Sequence, residues 1–156
     1  MDMPTSAWNP DLFPNLTAGT NCDLTSAQTK RYNCIAWAAG ENFRNWWPDA
    51  MGVGFWPHGV SRKVTLDAFI KAYSTRGYKL CFAGALEPGV EKIALFTKQG
   101  QSGDPEPTHA ALQLADGKWT SKLGHLEDIC HHTVEGVECS TYGRVACFLS
   151  RPRPRL

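Results

Sequence analysis

Two stretches of the chain carry the apolar spacing of an amphipathic helix. The first runs from 33 to about 45, with Asn33 as a suitable N-cap and apolar positions at Ile35, Ala36, Ala39 and Phe43. The second runs from 64 to 77, ends at a glycine, and has apolar positions at Leu66, Phe69, Ile70 and Tyr73. We predict a helix with one buried face in each stretch.

The later part of the chain is dominated by short runs with strand character. These runs are 78–83, 91–97, 109–115, 118–123 and 144–150. Helices followed by strands imply an α+β architecture. The segment 46–57 holds three tryptophans among glycines and prolines, which indicates a loop. Its aromatic side chains either wall a pocket or cover the end of the first helix.

Length and composition bound the protein class. At 156 residues we expect a single domain over 1–156, with 1–24 as an extended arm and 151–156 as a basic tail. The net charge of +1 argues against a nucleic-acid binder. Neither a signal peptide nor an apolar run of membrane-spanning length is evident, so we expect a protein that is cytoplasmic as synthesised, without a membrane partner. Export by a route that needs no signal peptide stays open.

The candidate chemistry lies at the starts of two predicted elements. Cys34 opens the first helix and His109 opens a strand. A helix N-terminus and a nearby imidazolium both favour a thiolate, so we expect a lowered thiol pKa and a nucleophilic cysteine. The alternative is that Cys34 is a small buried apolar residue. We expect the six cysteines to be reduced thiols.

A metal-binding interpretation rests on a separate cluster near the C-terminus. Cys130, His131 and His132 are followed by Cys139 and Cys147. They lack the paired spacing that structural zinc sites prefer. We therefore predict no metal and no cofactor, and we expect His131 or His132 to lie on a solvent-facing turn.

The residues around the two candidates resemble known families. The segments 33–38, NCIAWA, and 109–113, HAALQ, resemble the papain-like fold and, more closely, its compact NlpC-type peptidase branch. The chain also resembles an uncharacterised family of small bacterial proteins that share YNCIAWA, HAAxQ and WTSKLG motifs. This second resemblance runs from Tyr32 to about Tyr142.

The papain-like resemblance implies a thiol hydrolase and an α+β single domain in which the first helix packs on a central antiparallel sheet. It implies Cys34 as nucleophile, His109 as general base and, matched by offset, Ser121 as the third residue. Gln28, six residues before the cysteine, would join the Cys34 backbone N–H as an oxyanion donor. Asp128 and Glu91 are substitutes for the third role, and the pocket residues are Trp37, Trp47 and Trp56.

The turn at Asp116-Gly117 decides whether Ser121 can meet His109. A two-residue turn pairs Leu112 with Ser121 and places the serine on the face opposite His109. A three-residue turn pairs Ala111 with Ser121 and brings both side chains to one face. The hydrophobic pattern favours the shorter turn and the resemblance favours the longer one, which we prefer.

Three function classes follow. The first is a cysteine hydrolase of an amide or peptide bond: a peptidase, amidase or deamidase that acts on a peptide, peptidoglycan or protein substrate. Such an enzyme would suit a bacterial toxin or effector with an inhibitor or immunity protein as partner. The second is a catalytically silent papain-like binding domain, and the third is a metal-binding structural protein.

Overall fold

The computed structural model describes residues 12–16, 29–123 and 128–154, and the backbone of 22–26. Seven strands form one sheet, and every pairing between neighbours is antiparallel. The strands are β1 (Cys22–Ser26), β2 (Lys79–Cys81), β3 (Val90–Gln99), β4 (Pro105–Gln113), β5 (Trp119–Lys122), β6 (Asp128–His131) and β7 (Arg144–Pro152). Their order across the sheet is β1-β6-β5-β4-β3-β7-β2.

The two described α-helices are short. Helix α1 (Cys34–Ala38) begins after Asn33, whose side chain accepts a hydrogen bond from the Ala36 N–H. It ends early because Gly40 has φ +88°, a left-handed conformation that stops a helix. Helix α2 (Leu66–Ser74) is capped by Thr65 and confirms the second predicted helix.

The predicted papain-like α+β fold is wrong. The chain has a β-rich fold, in which a seven-stranded antiparallel sheet is accompanied by helices of only five and nine residues. The first predicted helix was to continue to about residue 45, but Phe43 is 65 % exposed and lies beyond the end of α1. The structure therefore has no long N-terminal nucleophile helix in its described part.

Two hydrophobic clusters cover opposite faces of the sheet. On one face, α1 and α2 pack on Ile93, Leu95 and Ala110. On the other face, Ala94, Phe96 and Ala111 contact a cluster that includes Phe13, Leu16, Trp119, Leu123, Ile129, Val137 and Tyr142. The centre of β3 is apolar at consecutive positions because both of its faces are covered.

In the hairpin between β4 and β5, three residues, 115–117, lie inside the last hydrogen-bonded pair, Leu114 and Lys118, which confirms the longer predicted turn. Leu112 pairs with Thr120 and Gln113 with Trp119, and the Leu114 N–H donates to the Lys118 carbonyl at 2.7 Å. Gly117 has φ +91°, which glycine adopts at little cost. In this register Ala111 stands opposite Ser121, so Ser121 and His109 share one face of the sheet.

The Asn33 side chain ties α1 to the loop that follows it. Its Oδ1 accepts from the N–H groups of Ala36 (3.0 Å) and Trp46 (3.1 Å), and its Nδ2 donates to the Trp46 carbonyl at 2.7 Å. Thr65, by contrast, makes a single capping bond, from the Ala68 N–H at 3.2 Å. The two caps therefore form a matched pair for testing.

We expect Asn33→Ala to lower the free energy of unfolding by roughly 2 to 4 kcal/mol, since it removes a cap and two further bonds to Trp46. Thr65→Ala should cost only about 1 kcal/mol. Urea denaturation of both variants measures the difference. Equal losses would contradict the coupling of α1 to the Trp46 loop.

Candidate active site

Three buried polar side chains form a continuous hydrogen-bonded chain on one face of the sheet. His109 Nε2 lies 3.0 Å from Ser121 Oγ, and the same oxygen lies 2.8 Å from His131 Nε2. His131 Nδ1 in turn lies 2.7 Å from the Thr133 carbonyl. The side chains come from three adjacent strands, β4, β5 and β6, and all three residues are fully buried. The predicted pairing of Ser121 with His109 is therefore present in the structure.

Aromatic rings hold the His109 imidazole in place. The Tyr142 ring stacks on it with centroids 4.2 Å apart and planes 13° from parallel. Phe96, opposite His109 on β3, contacts it edge-on at 5.1 Å. The Thr108 hydroxyl donates to the Tyr142 carbonyl, which anchors the stacked tyrosine to β4.

One nitrogen of His109 is buried without a partner. Nδ1 makes no hydrogen bond with any described residue, although Nε2 is bonded to Ser121. An unpaired buried polar atom costs roughly 1 to 3 kcal/mol, so such atoms are uncommon and call for a physical explanation. Here the free nitrogen belongs to the residue that the sequence nominates as a base.

Cys34 approaches the same part of β4 from the other side. It is 7 % exposed and packs in the helix-side cluster with Ala110, the residue after His109. The Ala110 backbone N–H is near enough to the sulfur to favour its thiolate form. The ladder between β4 and β5 stops at Leu112, so Ala110 and His109 lie beyond its end. No described hydrogen bond joins Cys34 to His109.

The expected lowering of the Cys34 pKa is wrong for this resting structure. Burial raises the pKa of the thiol to about 11 because the charged form is desolvated. The N–H groups of Ala110, Ile35 and Cys34 itself, followed by the charge of Lys122, act in the opposite direction without overcoming burial. Cys34 therefore rests as a neutral thiol.

The two histidines of the hydrogen-bonded chain are neutral as well. Burial lowers the pKa of His109 well below its usual range, and the charge of His131 adds to this effect. Burial also lowers the pKa of His131 to about 4, against a smaller opposing effect of its bond to the Thr133 carbonyl. At neutral pH each ring therefore has one protonated and one unprotonated nitrogen.

Tyr142 is a neighbour of both candidate residues, His109 and Cys34. Burial raises the pKa of its hydroxyl well above the usual range, and the charge of Cys34 is the next largest cause. The ring that stacks on His109 is therefore near enough to Cys34 to be affected when the thiol is ionised. The two candidates share a neighbour even though no bond joins them.

The two substitutes for the third role lie elsewhere. Asp128 is buried on the helix side of the sheet, where its Oδ2 accepts from the Tyr32 hydroxyl. Glu91 accepts hydrogen bonds from Tyr78 and Arg151 and forms an ion pair with Arg153. Neither contacts His109. Gln28, the expected oxyanion donor, lies outside the described residues.

Two of the three nominated tryptophans line a cavity. Trp47 and Trp56 contribute to a space of about 850 Å³ whose wall includes Asn33, Arg44 and Arg62. Trp37 is not part of this wall: it stacks on Tyr32 and its Nε1 donates to Thr120 Oγ1 at 3.1 Å. The cavity adjoins the residue before Cys34, so it is a candidate substrate pocket.

His131 is the site residue that the sequence interpretation missed. The expectation that His131 or His132 lies on a solvent-facing turn holds for His132, which is exposed at the bend after β6, whereas His131 ends β6 and is fully buried. Strand alternation places it on the same face as the buried Ile129. The alternation of side chains in a strand over Asp128–His131 could have predicted that His131 shares the buried face of Ile129. Among the described residues, no group of histidine, cysteine and carboxylate side chains is placed to hold a metal ion.

Comparison with protein families gives one match. The family model described as "Domain of unknown function (DUF7689)" matches residues 23–150. The chain belongs to this family. The matched region contains Cys34, His109, Ser121 and His131, so the whole candidate site falls within the family domain. No curated protein and no solved structure matches the chain.

The described part of the chain contains no helix that is both long enough and apolar enough to cross a membrane.

The raised thiol pKa makes Cys34 a slow nucleophile toward small reagents. With a pKa of about 11, only about a thousandth of the thiol is ionised at pH 8, against about a quarter of a free cysteine. We expect its iodoacetamide alkylation, followed residue by residue by mass spectrometry, to lag behind that of the more exposed Cys81. An apparent pKa at or below about 8.5, the value of a free thiol, would contradict the raised pKa of Cys34.

The buried neutral histidines predict a loss of stability in acid. The unfolded chain binds a proton at His131 near pH 6.5, whereas the folded chain does so only near pH 4. Stability is therefore complete above pH 6.5 and falls as the pH drops toward 4, by roughly 3 kcal/mol for this residue. The lowered pKa of His109 acts in the same direction.

His131→Gln removes this titration. Its deficit in unfolding free energy relative to wild type should therefore shrink between pH 6.5 and 4, as measured by urea denaturation at several pH values. A deficit that stays constant across this window would mean that His131 is not buried in its neutral form.

Proposed function

We propose that the protein is a cysteine-dependent hydrolase of an amide or peptide bond, with Cys34 as nucleophile and His109 as general base. One observation carries the proposal. His109 has a buried, unpartnered Nδ1 while its Nε2 is held by Ser121, which is the arrangement that a proton-accepting imidazole requires.

The position of Cys34 supports the pairing. Its sulfur lies against the amide of Ala110, next to His109 and beyond the end of the β4–β5 ladder. The cavity walled by Asn33, Trp47 and Trp56 adjoins the start of α1. A substrate group in this cavity would contact Asn33, the residue before the nucleophile. Binding must also bring the sulfur within hydrogen-bond reach of Nδ1, because the resting structure lacks that bond.

The proposed reaction has two stages. His109 Nδ1 takes the Cys34 proton while the sulfur bonds to the substrate carbonyl carbon, and the departing amine then receives that proton as the C–N bond breaks. In the second stage Nδ1 takes a proton from water and the hydroxide adds to the thioester carbonyl carbon. The C–S bond then breaks, a carboxylic acid is released, and Nδ1 returns its proton to the sulfur. Because the resting thiol is neutral, proton removal and attack belong to the same step.

Amide turnover by matched variants tests this function. The panel consists of peptide anilides, peptidoglycan fragments and glutamine-containing proteins, followed by released amine or ammonia. Turnover of one substrate should fall at least about 1000-fold in Cys34→Ala, and by about 100- to 10,000-fold in His109→Gln. Cys147→Ala is the control, since Cys147 packs against the same cluster as Cys34 and should retain its rate.

The pH profile gives a second readout of the same experiment. His109 acts as a base only when Nδ1 is unprotonated, and burial holds its pKa well below the usual range. We therefore expect kcat/KM to persist to well below pH 6.5 before it declines. Turnover that survives Cys34→Ala in folded protein would overturn the proposal.

A second candidate is a binding domain in which Cys34 performs no chemistry. The raised thiol pKa and the missing bond to His109 favour it. In that case no amide in the panel is hydrolysed, and peptides still bind in the Trp47–Trp56 cavity. Binding measured by tryptophan fluorescence should then weaken in Trp47→Ala and remain unchanged in Cys34→Ala.

A further inference from the structure

The donor and the acceptor of each hydrogen bond in the chain that ends at His109 can be assigned, starting from the backbone carbonyl of Thr133. The Thr133 oxygen can only accept a hydrogen bond, so the proton in the 2.7 Å contact belongs to His131 Nδ1. A neutral imidazole carries one ring proton. His131 Nε2 is therefore a free lone pair that faces Ser121.

The same reasoning assigns the donor and the acceptor in the two hydrogen bonds of the Ser121 hydroxyl. Ser121 has a single proton, and the lone pair of His131 Nε2 at 2.8 Å is its acceptor. With that proton committed, Ser121 Oγ can only accept from His109, so His109 Nε2 carries the ring proton in the 3.0 Å contact. His109 Nδ1 is then the free lone pair, at the position where no described residue provides a partner.

Ser121 by itself cannot determine which ring nitrogen of His109 carries the proton. A hydroxyl both donates and accepts, so an isolated Ser121 would accommodate His109 with a proton on either nitrogen. In one of these tautomers Nδ1 is already protonated and cannot serve as a base. Phe96 and Tyr142 clamp the ring plane, but ring stacking does not distinguish the tautomers. The feature that distinguishes them is the lone pair of His131.

We infer that His131 is a positioning residue that acts through Ser121 to fix the tautomer of His109, so that the nitrogen facing away from Ser121 is the proton acceptor. The catalytic consequence rests on the proposed hydrolase function, whereas the tautomer assignment rests on the hydrogen-bond geometry and on the neutrality of the two fully buried rings. Gain of a proton at Nδ1 during a reaction needs no rearrangement of the chain, because every donor keeps its acceptor.

Nitrogen NMR of the full-length protein tests the assignment directly. In 15N-labelled wild type at pH 7.5, His109 should be protonated at Nε2 and His131 at Nδ1, so the two rings should show opposite tautomers. The signals are assigned with single-histidine variants. The same tautomer in both rings would overturn the inference without recourse to any variant of the site.

Substitutions at His131 test the causal step. His131→Phe removes the acceptor, so the Ser121 hydroxyl should turn to His109 Nε2 and a measurable Nδ1–H form of His109 should appear. His131→Gln retains a carbonyl that can accept from Ser121 and should preserve the wild-type tautomer. His132→Phe is the control, since His132 is exposed and should leave the His109 signals unchanged. A His109 tautomer that is unchanged in folded His131→Phe would overturn the inference.

Kinetics separate this inference from the function on which it rests. With an amide that Cys34 cleaves, His131→Phe should lower kcat by about 10- to 100-fold with little change in KM, and His131→Gln should restore it. A tautomer shift without any Cys34-dependent turnover would remove the hydrolase function and leave the tautomer assignment intact. Cys34-dependent turnover with an unshifted His109 tautomer in His131→Phe would support the hydrolase function and overturn the role of His131.

Discussion

The register of the β4–β5 hairpin is the constraint on which the candidate site depends. A three-residue connection places Ala111 opposite Ser121, and strand alternation then assigns His109 and Ser121 to one face. A shift by one residue would turn every side chain of β5 to the other face. Ser121 would lose His109, and Thr120 would lose its contact with Trp37. One turn therefore supports both the polar chain and the packing of α1.

Burial of the hydrogen-bonded side chains in an apolar part of the sheet lowers the stability of the fold unless each donor finds an acceptor. His109, Ser121 and His131 are fully buried, and the direction set by the Thr133 carbonyl gives each donor an acceptor. Partly satisfied polar networks are costly in a medium of low dielectric constant. The single unsatisfied atom on the two histidines is His109 Nδ1, so the cost is concentrated where a base needs a free lone pair. This placement links the energetics of the core to the proposed chemistry.

The helix side of the sheet presents Cys34 with a different environment. Tyr32, Lys122 and Asp128 lie near it, with the Tyr32 hydroxyl bonded to Asp128 and the Lys122 ammonium 5.6 Å from the Tyr32 ring. The Lys122 charge favours the thiolate, but desolvation outweighs it and the thiol stays neutral. At rest, a neutral Cys34 thiol and a neutral His109 imidazole lie on opposite faces of the sheet. The proposed reaction would require substrate binding to bring the two together.

Local patterns were sufficient for several elements of this protein. The spacing of Leu66, Phe69 and Tyr73 predicted α2, and the Asp116-Gly117 turn predicted a hairpin between β4 and β5. Both depend on residues close in sequence, where helical or strand periodicity and turn chemistry act directly. The hydrophobic pattern favoured the wrong register of this hairpin, and only the family resemblance favoured the register that joins Ser121 to His109. The β-rich fold, the burial of His131 and the raised pKa of Cys34 were decided by tertiary structure alone. Each depends on contacts between distant segments: the pairing of seven strands, the cover over β6, and the closing of the core around the sulfur. Desolvation arises only when those segments pack together, so local sequence determined which groups are present and tertiary structure determined their protonation and their partners.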